Sequence, residues 1–258
     1  MPEERPLRRV SVTVPRRRAE QARATMIELF PEGFEEVDDG DDVEFAAYTD
    51  AGGEERLWHA FGGARAADVE AGWEERWRSF HRPVTVGPLW VGPPWESAPL
   101  DATAVVIDPG RAFGTGAHAT TRLCLELLLE LPRASLLDVG CGSGVLAIAA
   151  AKLGFAPVVG IDLDPLAIQA TQLNASVNGI EVETRLLDAT REPLPESATI
   201  VANIALAAVE DIARGARCER LVTSGYLVAD CPDPPNYSRV RRLDDEGWAA
   251  DLWETATE

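Results

Sequence analysis

Asp138-Val139-Gly140-Cys141-Gly142-Ser143-Gly144 sets three glycines at alternate positions between an apolar stretch, Ser135-Leu136-Leu137, and a helix-like run, Val145 to Leu153. An acid, Asp162, stands 22 positions after the first glycine and closes a second apolar stretch, Val158-Val159-Gly160-Ile161. Strand, glycine turn, helix, strand and acid describe a nucleotide-binding βαβ unit, in which a backbone without side chains approaches the ligand and the acid accepts hydrogen bonds from ribose hydroxyls. A dinucleotide loop wants glycines at its first, third and sixth places; here the third glycine falls fifth and Val145 takes the sixth. A phosphate-cradling loop needs Gly-Lys followed by Ser or Thr, and the turn holds no lysine. Hydride transfer and NTP hydrolysis are therefore disfavoured. The remaining common user of such a loop is S-adenosylmethionine, whose amino-acid tail needs backbone room rather than a phosphate cradle. A plain structural turn in any α/β domain is the alternative.

Those residues need a sheet to hold them. From about Leu100 apolar strand patterns alternate with helical ones: Val105-Val106-Ile107, a helix from Thr120 or Thr121 to about Leu131, the glycine unit, and then Asp164-Pro165 as N-cap and first helical residue. Asn178-Gly179 stops that helix, and strands are expected near Glu183 to Leu187, Thr199 to Ala202 and Arg220 to Thr223. Such alternation predicts a doubly wound, mainly parallel, Rossmann-like α/β sheet whose ligands sit at the carboxyl ends of its strands. Gly140, Asp162, Asp188 and Asn203 all fall at or just past such ends. Asp188 is placed on that basis as a partner for the adenine amino group, with a solvated turn acid as the alternative. The run Asp230-Cys231-Pro232-Asp233-Pro234-Pro235 should break any helix and leave Arg239 to Leu243 and Trp248 to Trp253 as a closing hairpin.

The first 70 residues read as a small α+β unit: a strand at Arg9 to Val14, a helix from about Arg17 to Phe30, and strands near Phe34 to Val37 and Val43 to Tyr48. Asp50-Ala51-Gly52-Gly53 reads as a turn. A tryptophan-rich connector over 71–99 follows, with Trp73 and Trp77 one helical turn apart and Trp90 and Trp95 among prolines. Tryptophans at i and i+4 more often dock a helix than bind a ligand, so 71–99 is expected to be an interdomain linker ahead of a domain spanning 100–258.

Composition narrows the partners. With 258 residues and 46% hydrophobic content the chain can bury a proper core. No apolar run approaches the roughly 20 residues of a membrane span, and the residues after Met1 form no signal segment, so a cytoplasmic location is expected. A net charge of −19 opposes binding to phosphate backbones and suits a basic protein partner, although the same charge also serves solubility. Lys152 is the only lysine, which leaves little for Schiff-base chemistry. Four scattered cysteines and three scattered histidines suggest neither a metal site nor a disulfide framework, and Cys141 in the loop is read as a small structural residue.

Phe113-Gly114-Thr115-Gly116-Ala117-His118-Ala119-Thr120-Thr121 is a glycine-rich loop just before the first helix of the sheet domain. Together with DVGCGSGVLAIAA, Gly160-Ile161-Asp162-Leu163-Asp164-Pro165 and Val201-Ala202-Asn203-Ile204, it resembles the methyltransferases that trimethylate large-subunit ribosomal protein eleven, a stalk-base protein of the bacterial ribosome. All four motifs occur in order, and the small first domain and tryptophan linker also look like that family's recognition module and connector. The resemblance implies a seven-stranded methyltransferase sheet, S-adenosylmethionine as cofactor, and methyl transfer to lysine and N-terminal amines of that ribosomal protein. It implies cofactor contacts from Thr121, Gly140, Gly142, Asp162 and Asn203, with Asn203 where methyl group and acceptor nitrogen meet. His118 either shapes the acceptor pocket or receives a proton. The chain is expected to work as a monomer that does not read nucleic acid, because Ile204-Ala205-Leu206 offers no aromatic ring to clamp a base. It departs from the family in lacking Pro-Gly-Gly before the fifth strand, the proline after the Asn motif, and much of the last helix. These departures keep open a methyltransferase for another protein or small-molecule amine, and an inactive cofactor-binding interaction module.

Overall fold

The computed structural model describes residues 8–30, 34–49, 51–68, 81–109 and 116–256. The chain divides into two compact units, Met1–Phe80 and His81–Glu258.

The first unit is an antiparallel sheet of β1 (Arg8–Pro15), β2 (Glu35–Asp39), β3 (Asp42–Thr49) and β4 (Arg65–Asp68) in the order β2-β3-β1-β4. Helices α1 (Ala19–Leu29) and α2 (Ala51–Phe61) complete a split βαβ pattern, as in ferredoxin-like domains. Val10, Met26, Phe30, Phe45 and Leu57 form its core. Of the turn expected at Asp50-Ala51-Gly52-Gly53, the described residues Ala51 to Gly53 are instead the start of α2. Two glycines are poor helix formers, and burial of Leu57, which has no solvent exposure, outweighs that local preference. Trp73 and Trp77 lie outside the described residues.

The second unit begins earlier than the linker expectation placed it. β5 (Val84–Val86) pairs antiparallel with β6 (Leu89–Gly92), and β6 pairs parallel with β7 (Thr103–Val106). Leu89, Trp90 and Val91 are buried, so the stretch 71–99 contributes two strands to this unit. Tryptophan and proline content marks a connector by composition only; the apolar triplet is what packs.

The main sheet holds seven strands in the order β10-β9-β8-β11-β12-β14-β13. They are β8 (Leu136–Val139), β9 (Val158–Asp162), β10 (Glu183–Leu186), β11 (Thr199–Asn203), β12 (Arg220–Leu227), β13 (Tyr237–Asp245) and β14 (Trp248–Thr255). Pairing is parallel from β10 through β12, and β14 alone runs against its neighbours. Helices α3 (Ala119–Glu130), α4 (Val145–Lys152) and α5 (Pro165–Val177) cover one face, where Leu127, Leu146 and Ile148 meet Leu136, Val201 and Val222. On the other face α6 (Leu206–Gly215) sets Ile212 and Ala213 against Leu137, Ile200 and Leu221. Every residue from Val145 to Ala150 is buried, as an apolar-all-round helix requires. α5 starts and stops at its expected signals: Asp164 accepts from the Leu166 N–H at 2.9 Å, and Gly179 at φ +66 ends it.

One difference from expectation and one agreement shape this half of the molecule. α6 was not foreseen, since Ala205 provides no side-chain cap and the run after Asn203 has no start signal. Between β12 and β13 residues 228–236 hold no helix, in line with the prolines there.

Candidate functional site

The site is built at the carboxyl ends of β8, β9 and β11. The Gly140 N–H and the Cys141 N–H both donate to the Ile161 carbonyl, at 2.8 and 3.0 Å, so the glycine loop folds over the end of β9. Gly140 has φ +72, and a Cβ there would stand 2.4 Å from Ile204 Cγ2. Only glycine permits both that conformation and that approach. The loop closes with the Gly144 N–H on the Cys141 carbonyl at 2.7 Å, immediately ahead of α4.

Asp162 accepts from the Gly142 N–H at 3.0 Å on Oδ2 and from the Asp164 N–H at 2.9 Å on Oδ1. Two backbone donors orient the carboxylate and leave lone pairs for a pair of hydroxyls. Leu163 beside it is 73% exposed, a large apolar side chain standing open at a strand end. Asp138, beneath the loop, is fully buried and accepts from the Ala147 N–H at 3.0 Å; burial pushes its carboxyl up to about 7, with the nearby Asp162 acting in the same direction.

β11 delivers Asn203 to the same end. Its Nδ2 donates to Thr121 Oγ1 at 3.3 Å, across 82 residues of chain. The turn after Asn203 is pinned: the Ile204 N–H donates to the Ser224 carbonyl at 3.1 Å, and Gly225, at φ +98, lies so close that a Cβ would sit 2.1 Å from the Ile204 carbonyl oxygen. Gly140 and Asn203 are thus neighbours through Ile204.

His118 caps α3. Its Nδ1 accepts from the Thr120 N–H and lies 2.8 Å from Thr120 Oγ1, while its ring meets Trp248 edge-on at 4.9 Å. With Nδ1 engaged as acceptor, the ring proton is assigned to Nε2. Burial first, and then the neighbouring Arg122, push its pKa below the usual value. Phe113, Gly114 and Thr115 of the same motif lie outside the described residues.

Asp188 reaches this end because the Leu187 N–H donates to the Asp162 carbonyl at 2.9 Å. Its Oδ1 accepts from the Thr190 hydroxyl and N–H, at 2.6 and 3.0 Å, and Oδ2 lies 3.4 Å from Arg191 Nε. Those contacts, led by the Thr190 hydroxyl, hold its carboxyl below the usual range. They describe an Asx-type turn, so an adenine amine would have to compete with Arg191 for Oδ2.

Sequence reasoning missed the residues that brace the loop from α5. Thr171 Oγ1 donates to the Gly142 carbonyl at 3.0 Å, and Asn174 Nδ2 donates to the Ser143 carbonyl at 2.9 Å while its Oδ1 accepts from the Asp108 N–H at 3.0 Å. Asn178 pairs with both backbone groups of Val106. The signal was available: Thr171, Asn174 and Asn178 recur at i, i+3 and i+7, polar groups on one helical face. Thr171 also donates to Cys141 Sγ at 3.3 Å, and burial pushes that thiol up to about 12, which leaves it an unreactive space-filler.

A seven-stranded sheet in this order, with one reversed strand next to the edge and a glycine loop at the end of a central strand, defines the Rossmann-like methyltransferase class. The chain belongs to the ribosomal protein L11 methyltransferase (PrmA) family, whose sequence model it matches over residues 19–230. It is 47% identical over 152 residues to the ribosomal protein L11 methyltransferase of Symbiobacterium thermophilum, covering 55% of this chain and 49% of that protein. Over 171 residues it is 42% identical to the one of Aeromonas hydrophila, covering 62% and 59%. The chain spans about half the length of the curated relatives it matches. Among solved structures, a ribosomal protein L11 methylase from Lactobacillus delbrueckii subsp. bulgaricus aligns at TM-score 0.62 and 25% identity, over 69% of this chain and all of that one.

Proposed function

We propose that this chain transfers methyl groups from S-adenosylmethionine to lysine and N-terminal amino groups of ribosomal protein L11. The observation that carries the reading is the meeting of Asn203 and Thr121 beside the glycine loop, which sets an acceptor side against a cofactor side. When bound, the cofactor supplies a sulfonium methyl that is already electrophilic. Asp162 would take the ribose hydroxyls, Gly140 and Gly142 would pass the methionine portion along bare backbone, and Leu163 would lie against the base. Asp188 is kept as the partner of the adenine amine through Oδ2. Thr121 would contact the cofactor and hold Asn203, whose amide oxygen is left to accept from the incoming amine.

A lysine amine has an ordinary pKa of about 10.4, and a pocket that excludes water favours its neutral, nucleophilic form. Positioning supplies most of the remaining rate. His118, with Nδ1 spent on the helix cap, is assigned to shaping this pocket rather than to removing the proton. Residues 1–70 are assigned to acceptor recognition, and the net charge of −19 suits a basic ribosomal protein rather than nucleic acid. No helix among the described residues is long and apolar enough to cross a membrane, and we assign the protein to the cytoplasm, acting as a monomer.

Labelled cofactor incubated with ribosomal proteins, followed by mass spectrometry, tests this. Label on L11 amines is expected, and Asn203→Ala should cut its transfer at least 100-fold, well beyond any accompanying loss of cofactor affinity. Label on another protein or a small amine would move the substrate, and no label at all would leave only a binding module.

A further inference from the structure

The segment that precedes Thr121 is held by a part of the molecule that the methyl-transfer reading does not use. Arg122, one residue into α3 beyond Thr121, turns its guanidinium back along the chain and donates Nη1–H to the Ala117 carbonyl. Its Nη2 donates to Asp245 and, at 3.0 Å, to Glu246 Oε1. Asp245, Glu246 and Gly247 form the tip of the β13–β14 hairpin, with Glu246 at φ +50 and Gly247 at φ +82. The next residue, Trp248, carries the His118 ring on its edge at 4.9 Å. A planar fork with five donors can span a carbonyl and two carboxylates at once, which an ammonium cannot.

We infer that Arg122 and the tip of the β13–β14 hairpin form a latch that positions the acceptor segment Ala117–Thr121; this rests on the methyl-transfer reading above. Three facts point the same way. The latched carbonyl belongs to the residue directly before His118, and His118 in turn bonds Thr120. Thr121 then receives Asn203, so a shift at Ala117 is carried within four residues to the contact of the amide proposed to meet the acceptor amine. Arg122 is a quarter exposed and its carboxylate partners more so, at 44% and 68% of their side chains, which makes the pairs weak contributors to global stability. Their value lies in placement, where a misplacement of about 1 Å can cost about 100-fold in rate. The hairpin is 123 residues away in sequence, so its turn residues control geometry they never border in the chain.

The test combines kinetics with a readout that does not depend on turnover. Arg122→Ala should lower kcat/KM for the acceptor at least tenfold, mainly through KM, while cofactor affinity by calorimetry falls by much less. Arg122→Lys should recover little, because it cannot reach both the carbonyl and the carboxylates. Glu246→Gln should show a smaller loss that disappears in the Arg122→Ala background. The charged groups facing His118 are Arg122 and Glu246, so its NMR titration midpoint should rise in Arg122→Ala and fall in Glu246→Gln. Unchanged acceptor KM in Arg122→Ala, full rescue by Lys, cofactor affinity lost in parallel, or an unmoved His118 midpoint would each overturn the latch. Failure of the unsubstituted chain to methylate any acceptor would instead sink the methyl-transfer reading, and the His118 titration would still judge the geometry.

Discussion

The two halves of the large sheet are held together by different physics. Around β8, β9 and β11 the contacts are apolar side chains and backbone hydrogen bonds, with helices on both faces and Asp138 the one fully buried acid. Around β13 and β14 the apolar packing of Ala249, Ala250, Leu252 and Trp253 is joined by arginine ion pairs. Arg242 Nε lies 3.1 Å and Arg239 Nη1 3.6 Å from Asp251, which has no solvent exposure. Arg241 pairs with Glu130 of α3, Arg242 also donates to the Asp230 carbonyl at 2.7 Å, and Arg122 holds the hairpin tip. Beneath them runs a directed chain: Trp253 Nε1–H to Thr223 Oγ1 at 2.8 Å, Thr223 to the Tyr226 hydroxyl at 2.7 Å, and Tyr226 to Asp251 Oδ2 at 2.8 Å. A proline-rich loop crosses from β12 to β13 where a helix would have brought apolar cover. The lesson is that one half adds charge pairing to its apolar packing, and that such pairing stabilises only while every partner is present.

Breaking the hairpin's buried charge should give the largest effect on the fold. Asp251→Ala leaves Arg239 and Arg242 without their ion-pair partner and Tyr226 without its acceptor, and should lower unfolding free energy by about 3–5 kcal/mol in urea titrations. A loss below about 1 kcal/mol would show that the hairpin half is held by its apolar contacts alone. The glycine half should respond in function instead. Asp162→Ala removes a half-buried carboxylate whose partners are two backbone N–H groups, so S-adenosylmethionine binding by calorimetry should fall at least 100-fold with the fold retained. Undiminished binding would mean that the ribose acid lies elsewhere.

The subtlest difference is in pH. Asp138 titrates near 7 in the folded chain against about 3.9 unfolded, so the folded state keeps its proton longer. The resulting stability is complete below about pH 4 and is lost as pH rises to about 7. Asp138→Asn should therefore flatten the decline between those values, read as the difference between the two chains' urea midpoints. A parallel pH profile in both would place the folded-state pKa near its ordinary value.

How much of this was readable in advance follows from the range of the interactions. The glycine turn, Asp162 and the α5 signals Asp164-Pro165 and Asn178-Gly179 were legible because each works within a few residues. α2 and α6 were not, because a glycine-rich start and an uncapped one are tolerated only where Leu57 and Ile212 are buried. Trp90 was misjudged for the same reason: its composition spoke of a linker, its neighbours Leu89 and Val91 of a core.

From the sequence alone came the strands of the large sheet and helices α3 to α5, the carboxyl-end placement of Gly140, Asp162, Asp188 and Asn203, and an adenosine-type cofactor loop, since backbone conformation and capping are local chemistry. Only the tertiary structure decided which distant residues touch. It joined Asn203 to Thr121, let α5 brace the glycine loop through Thr171 and Asn174, turned Asp188 Oδ1 onto Thr190, and tied the hairpin tip to Arg122. Sheet order and burial make those pairings, and neither is written in any single stretch of the chain.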